Sequence, residues 1–187
     1  MSDTNDKVYK EQIERAVESL LHAIGENPSR EGLVDTPRRV ANFWAEFIDY
    51  DPGKVSTAFA AVNSADQMVT VSGMRVWSLC EHHLMPFWAD VSIAYIPKDK
   101  VLGLSKLARI AHKHAHKLQI QERLAEEIAA EVAEHAETED VAVLVRGQHL
   151  CMIMRGIKTE GTMTTTVVKG VFREDAAART EFLNSVN

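Results

Sequence analysis

The sequence predicts an α+β fold in which an antiparallel four-stranded sheet is backed by a pair of helices and follows an N-terminal helical arm. Apolar residues recur at helical spacing near the N-terminus and again in the middle of the chain. Elsewhere they alternate with other residues, as Val91, Ile93 and Tyr95 do, which is typical of strands. From residue 68 the predicted order is ββααββ, and this order favours an antiparallel sheet with both helices packed against it.

The first 50 residues are predicted to form the helical arm. Apolar residues at helical spacing predict a helix over 7–24. A second helix is predicted from about residue 36, because Asp35 can cap its N-terminus and Pro37 suits its first turn. Residues 51–67 begin with a Pro-Gly turn and continue with small and polar residues, which predicts a linker.

Residues 68–187 are predicted to form the main domain, which contains the sheet and its helices. Strand composition is found at 68–76, 87–96, 141–145, 150–155 and 162–172, and helical spacing at 105–116, at 121–136 and from Asp175 onward. A sheet covered on one face still has open edges, and open edges pair with other chains. We therefore expect a homo-oligomer joined at its sheet edges.

Composition narrows the class of protein. The chain has 187 residues, of which 45% are hydrophobic and 26% charged, as in an ordinary globular domain. The formal net charge of −6 argues against a general nucleic-acid binder. The sequence has no run of about 18 apolar residues, so we expect no membrane span. Its polar N-terminus does not resemble a secretory signal, so we expect a cytoplasmic protein with reduced thiols.

Cysteine and histidine cluster in two short segments. Cys80 and His83 lie in SLCEHHLMPF, and the only other cysteine, Cys151, follows His149 in RGQHLCMIMRG. Two thiolates and one imidazole leave one corner of a tetrahedral zinc site open for water, which is typical of a hydrolytic metal centre. His82 and His149 add imidazoles for ligation or proton transfer. The alternatives are that the cysteines are buried core residues or close a disulfide in an oxidising compartment.

Four segments together resemble the GTP cyclohydrolase I family over roughly residues 30–185. They are SLCEHHLMPFWADVSIAYIPKDKVLGLSKLARI, LQIQERLAEEIA, HLCMIMRG and GVFREDAAARTEFL, in the family's order and at similar separations. The resemblance implies that 68–187 is a catalytic domain with the tunnelling fold, in a ring-shaped homo-decamer of two pentamers. It also implies a zinc-dependent conversion of GTP to 7,8-dihydroneopterin triphosphate and formate. That reaction begins the synthesis of folate, tetrahydrobiopterin or deazaguanines, and the sequence does not distinguish these pathways.

The metal and catalytic residues follow from the matching positions. Cys80, His83 and Cys151 would hold zinc, with water as the fourth ligand. Two residues before Cys151 on a predicted strand, His149 would point to the same face and protonate the imidazole part of guanine. His82 would be a second proton-transfer group, with support of the ligands or a surface position as the alternative.

The substrate contacts are expected on two further segments. Lys106 and Arg109 share a helical face near Ser105 at the helix start, and with Arg155 they would bind the triphosphate. Each of the first two cations could instead be an ordinary solvated charge. Glu122 would accept hydrogen bonds from the guanine ring NH and amino group. In the family, a residue matching Gln121 binds substrate and an arginine matching Arg39 reaches a neighbouring subunit's pocket.

Some features depart from this assignment or stand outside it. Asn42 and Arg146 replace residues that are often basic and acidic, respectively, in the family. His112, His114 and His116 alternate on a helix and are expected to be exposed.

A catalytically silent nucleotide-binding ring protein is one alternative function. Another tunnelling-fold enzyme is a second, namely a pyruvoyl-tetrahydropterin synthase or a deazaguanine nitrile reductase, but their three-histidine metal site or metal-free cysteine does not fit CEHH with HLC.

Overall fold

The computed structural model describes residues 3–60 and 67–186, with side chains from Tyr9 onward. These residues divide into two compact units between Tyr50 and Asp51. The predicted linker over 51–67 falls partly outside the described residues, at 61–66. Within the described chain, no helix is both long enough and apolar enough to cross a membrane.

The N-terminal unit contains two helices, α1 (Asp3–Ala23) and α2 (Thr36–Ile48). Both were predicted, and Pro37 lies in the first turn of α2 as expected. Asp35 occupies the N-cap position as predicted, but its side chain accepts no hydrogen bond from the helix N-terminus. Instead the carboxylate pairs with Arg38 at 3.1 Å and with Arg39 at 3.3 Å, since side chains three and four residues apart share a helix face.

The second unit confirms the α+β class and the ββααββ order of its main elements. Its strands are β1 (Ala58–Ala60), β2 (Val69–Cys80), β3 (Pro86–Tyr95), β4 (Lys100–Leu102), β5 (Leu118–Gln119), β6 (Val141–His149) and β7 (Met163–Val168). Its helices are α3 (Leu104–Ala115), α4 (Gln121–Ala136), α5 (Leu150–Ile153), α6 (Val171–Glu174) and α7 (Ala176–Ser185).

The main sheet has five strands, one more than predicted, in the order β5-β2-β3-β6-β7. The four long strands are antiparallel to their neighbours, whereas the two-residue β5 pairs parallel with β2. A separate two-stranded sheet joins β1 to β4. A contact as short as β5 has too few residues to give an alternation pattern, and for this reason the sequence did not predict it.

Two predicted strand segments are wrong. The chain is helical at α5, within the strand predicted at 150–155, because β6 has lost its neighbour there. Phe87 pairs with His149, and β3 begins at Pro86, which has no N–H for the ladder. The strand predicted at 162–172 ends at Val168, since Gly170 turns the chain with a positive φ of 54° into α6.

The core lies between one face of the sheet and helices α3 and α4. Val91, Ile93 and Val143 from the strands are fully buried there with Ile110 and Ile128 from the helices. A second apolar cluster on Ala94, Ala142 and Leu144 includes Phe172 and Phe182, which come from α6 and α7. The buried faces fix the sheet register, and therefore fix which residues lie at the strand ends.

The histidines of α3 are not exposed as predicted. His114 is only 14% exposed, and its ring donates toward Glu131 at 2.6 Å and lies 3.4 Å from Glu127. Lys113 also donates to both oxygens of Glu131, at 2.8 and 2.9 Å. Burial lowers the pKa of His114 more than the two carboxylates raise it, so the ring is neutral near neutral pH.

This lowered pKa predicts a loss of stability in mild acid. As the pH falls below about 6.5, the unfolded chain binds a proton at His114 before the folded chain does, so the free energy of unfolding decreases. His114→Gln keeps a donor for Glu131 but cannot titrate, and is expected to show a shallower decrease between about pH 7 and about pH 5. Urea unfolding of metal-stripped protein measures this, with the exposed His22→Gln as the control. An equal decrease in both variants would contradict the assignment.

Candidate metal centre and active site

The loop between β2 and β3 forms half of the candidate metal site. The carbonyl of Cys80 accepts hydrogen bonds from the backbone N–H of His83 at 3.3 Å and of Leu84 at 2.8 Å. The N–H of Cys80 donates to Met85 O at 2.8 Å, and Leu84 takes a positive φ of 54° to close the turn. This turn places His83 Nδ1 3.5 Å from Cys80 Sγ.

The other half comes from β6 and α5. Because Phe87 pairs with His149, the end of β6 lies beside the start of β3, and the helical turn that follows carries Cys151. Ligand atoms of Cys80, His83 and Cys151 all lie within 4.8 Å of one another. The structure therefore brings together the three residues that the sequence suggested as ligands.

This arrangement fits a tetrahedral metal. With bonds of about 2.3 Å to sulfur and about 2.0 Å to nitrogen, zinc places a sulfur and a nitrogen ligand about 3.5 Å apart. The observed distance between Cys80 Sγ and His83 Nδ1 is 3.5 Å. Both cysteines are unbridged thiols, and burial, followed by the neighbouring Cys80 sulfur, raises the pKa of Cys151. A cation between the sulfurs would reverse this shift, since a coordinating thiol is deprotonated.

His149 is the last residue of β6 and is held on two sides. Its ring stacks on Phe87 with centroids 4.4 Å apart, and its Nε2 lies 3.0 Å from Gln121 Oε1. Burial lowers the pKa of His149, while the negative charge of Glu122 opposes that shift. The prediction that His149 and Cys151 share a strand is wrong, because the strand ends at His149 and Cys151 lies in the helical turn.

His82 points away from the protein interior. Its side chain is 65% exposed, and Nε2 lies 3.8 Å from the carboxylate of Glu81. Its ring centroid is 6.1 Å from that of His83, with the rings nearly perpendicular. This position suits a proton-transfer group that meets a substrate arriving from solvent. It equally suits an ordinary surface histidine with no role in proton transfer.

Lys106 and Arg109 of α3 hold a preceding segment of the chain. Lys106 Nζ donates to Lys54 O at 2.7 Å, and Arg109 Nη1 donates to Pro52 O at 2.9 Å. A side chain at Gly53 would overlap the Arg109 guanidinium, and Gly53 also has a positive φ of 66°. Lys106 and Arg109 are therefore partly buried and engaged, not simply solvated.

The remaining predicted residues are distributed around these elements. Ser105 lies exposed in the first turn of α3, and Glu122 lies exposed in the first turn of α4. Arg155 follows α5 instead of lying on a strand with Cys151, and its guanidinium contacts His83 Nε2. Gln121 is 1% exposed, and Arg39 belongs to the N-terminal unit.

Sequence reasoning missed the backbone contacts at this site. The carbonyls of Pro52 and Lys54 leave no side-chain signal, and the contact between Gln121 and His149 joins residues 28 positions apart. Two glycines could have indicated these contacts. A side chain at Gly53 would overlap Arg109, and a side chain at Gly147 would overlap Gln121.

An α+β domain with an open cluster of two thiols and one imidazole, flanked by further imidazoles and cations, defines a candidate metal-dependent enzyme. Residues 13–187 match the GTP cyclohydrolase I family, and the chain belongs to it.

Relatives named GTP cyclohydrolase 1 match nearly the whole chain. The protein from a Sulfurihydrogenibium species is 45% identical over 181 residues, covering 96% of each chain. The Bacillus subtilis protein is 45% identical over 185 residues, covering 96% of this chain and 97% of its own. The Aquifex aeolicus protein is 46% identical over 183 residues with the same coverage. Among solved structures, an archaeosine synthase QueF-Like aligns with 53% of this chain and 91% of its own, with 20% identity and a TM-score of 0.43.

Proposed function

We propose that this protein is a zinc-dependent GTP cyclohydrolase I that hydrolyses GTP to 7,8-dihydroneopterin triphosphate and releases formate. The observation that carries the proposal is the cluster of Cys80, His83 and Cys151 in a chain that matches the family over 13–187. The ββααββ order, with a sheet backed by α3 and α4, supports the tunnelling fold that the sequence resemblance implies. A cytoplasmic location, where thiols stay reduced, suits this donor set.

Cys80, His83 and Cys151 would hold the zinc, since their types and spacing fit tetrahedral coordination. When bound, zinc supplies the Lewis acidity that brings the pKa of water to about 7. The two sulfurs and the imidazole would supply three of the four ligands of a tetrahedral site, and solvent or substrate could supply the fourth.

The flanking imidazoles would move protons on guanine. Opening the guanine imidazole ring requires protonation of ring nitrogens as the bond to carbon 8 breaks, which a positioned histidine can do. His149 is held between Phe87 and Gln121. Burial lowers its pKa and so favours the neutral ring, and the negative charge of Glu122 partly opposes that shift. His82, exposed beside the metal loop, is proposed as the second proton-transfer group.

Lys106, Arg109 and Arg155 are proposed to bind the triphosphate, with Ser105 at the start of α3. Two of these cations already hold neutral backbone carbonyls, of Lys54 and Pro52. A phosphate oxygen carries more negative charge than a carbonyl oxygen, so a triphosphate would attract both cations more strongly than these carbonyls do.

Incubation with GTP tests the function. We expect formate release together with the appearance of a pterin chromophore, both dependent on zinc. A nucleotide-binding protein without catalysis would bind GTP and release neither product. Formate with no pterin would mean that the chain opens the ring but does not complete the rearrangement.

Glu122 is proposed to read the guanine edge, which predicts a specific loss of affinity. Glu122→Gln is expected to weaken GTP binding by about 1 to 3 kcal/mol, because one guanine N–H then faces an amide that cannot accept both hydrogen bonds. Calorimetry in a His149→Ala background keeps the substrate intact during the measurement. The control Glu126→Gln lies on the same helix, pairs with Lys169 and is expected to change nothing. Equal affinities in the two variants would assign Glu122 to the solvated helix face.

A homo-decamer of two pentamers, with Arg39 reaching a neighbouring pocket, is the proposed assembly. The edge strand β7 supports an oligomer, since among the described strands it pairs only with β6. We expect inactive Arg39→Ala and inactive His149→Ala subunits to regain partial activity when mixed, because some interfaces then combine two intact residues. Differential tags verify that mixed rings form. Mixed rings as inactive as either parent would show that each subunit builds its site alone.

A further inference from the structure

We propose that Gln121 is a positioning residue for His149: it accepts a hydrogen bond from Nε2 and leaves Nδ1 as the nitrogen that exchanges protons with the substrate. This inference rests on the proposed function for the role of His149 and replaces substrate binding as the role of Gln121. It is carried by three observations, namely the fixed orientation of the amide, the identity of the facing atoms and a glycine that makes room for the contact.

The orientation of the Gln121 amide follows from its partners. Nε2 donates to Val145 O at 3.1 Å and to Met163 O at 3.0 Å, and lies 3.1 Å from Thr165 Oγ1. Backbone carbonyls only accept hydrogen bonds, so the amino side of the amide must face them. The opposite orientation would set the amide oxygen against two carbonyl oxygens. Oε1 is therefore the atom that faces His149, at 3.0 Å.

This assignment selects one form of the histidine ring. The amide oxygen has no proton to give, so Nε2 of His149 must donate. In the neutral ring the lone pair then resides on Nδ1, and this atom can take up or deliver a proton. Stacking on Phe87 at 4.4 Å, with 14° between the rings, fixes the plane in which Nδ1 points. Which nitrogen a histidine uses is commonly set by the partner of the other nitrogen.

Gly147 makes this contact geometrically feasible. A Cβ at this position would overlap Gln121 Oε1 and also lie 3.2 Å from the carbonyl of Trp88. A larger residue would therefore displace the amide from His149. Gln121 is 1% exposed and both ends of its amide already have partners within the fold, which favours a positioning role over direct contact with guanine.

Nitrogen-15 NMR of the ring tests the assignment without any substrate. In the full-length chain, with and without zinc, the neutral His149 ring is expected to carry its proton on Nε2. Gln121→Met, of similar size but with no acceptor, is expected to give a mixture of the two neutral forms. The matched control is Gln119→Met, which removes an equally buried amide whose partners are Glu127 and the carbonyl of His114. A proton on Nδ1 in the unaltered chain, or no change in Gln121→Met, would overturn the proposal.

Kinetics separate positioning from binding. Gln121→Met is expected to lower kcat by about 10- to 100-fold, the usual effect of removing a hydrogen-bond partner that orients a site histidine, with little change in KM. Gly147→Ala should reproduce both the NMR change and the kcat loss by a different route. A rise in KM at constant kcat would return Gln121 to substrate binding. If the unaltered chain did not convert GTP at all, the proposed function would fail, while the NMR result would still report on the contact.

Discussion

Replacing Cys151 by alanine is expected to remove the bound zinc and to abolish formate release. The chain has two cysteines, and no other thiol could substitute for the lost ligand. The remaining pair, Cys80 and His83, provides two donors 3.5 Å apart, which is too few for a tight zinc site. Metal analysis of purified protein measures the loss directly and does not depend on the assay for activity.

The control for this change is Met154→Ala, which truncates an exposed side chain three residues further along and should retain a full complement of zinc. Undiminished zinc in Cys151→Ala would exclude Cys151 from the metal site. Zinc lost with the fold intact by circular dichroism would support the assignment. Unfolding of the variant would be resolved by Cys151→Ser, which preserves the side-chain volume.

His149→Ala is expected to reduce turnover by roughly 100-fold or more while zinc and GTP remain bound, because a positioned acid or base contributes on this scale to the transition state. Stopped-assay turnover, zinc content and GTP affinity are to be measured on the same preparation. The control is His22→Ala, an exposed histidine of the N-terminal unit. Loss of zinc together with activity would indicate that His149 supports the metal loop and not proton transfer.

The elements that the sequence predicted well are those whose signals are local. Helix α4 matches the predicted 121–136 because its apolar residues recur at a steady helical spacing. The predictions that were wrong concern segments whose structure depends on contacts with residues distant in sequence. Leu150–Ile153 has strand composition, but the antiparallel strand β3 starts only at Pro86 and therefore offers no partner beyond His149. His114 lies at a position predicted to be exposed, but Glu131 from another helix covers it.

In the candidate site, too, local features could be predicted from the sequence and long-range contacts could not. Its metal donors could be suggested from residue types in two short segments, since few other roles bring Cys80, His83 and Cys151 beside further histidines. The contacts that orient the site could not be predicted. Gln121 reaches His149 only because the sheet register sets Gly147 opposite the start of α4, and register is a property of the whole sheet.

The two sulfur atoms of the metal site have a consequence for handling the protein. Cys80 Sγ and Cys151 Sγ lie within 4.8 Å of each other, and the chain has no third thiol with which either could exchange. A cation bound at this site would keep them apart as ligands, whereas chelation in air would leave them as the natural pair for oxidation. Inactivity after dialysis can therefore have two origins, missing metal or a newly formed disulfide. Adding zinc alone reverses the first, and the second also requires a reductant.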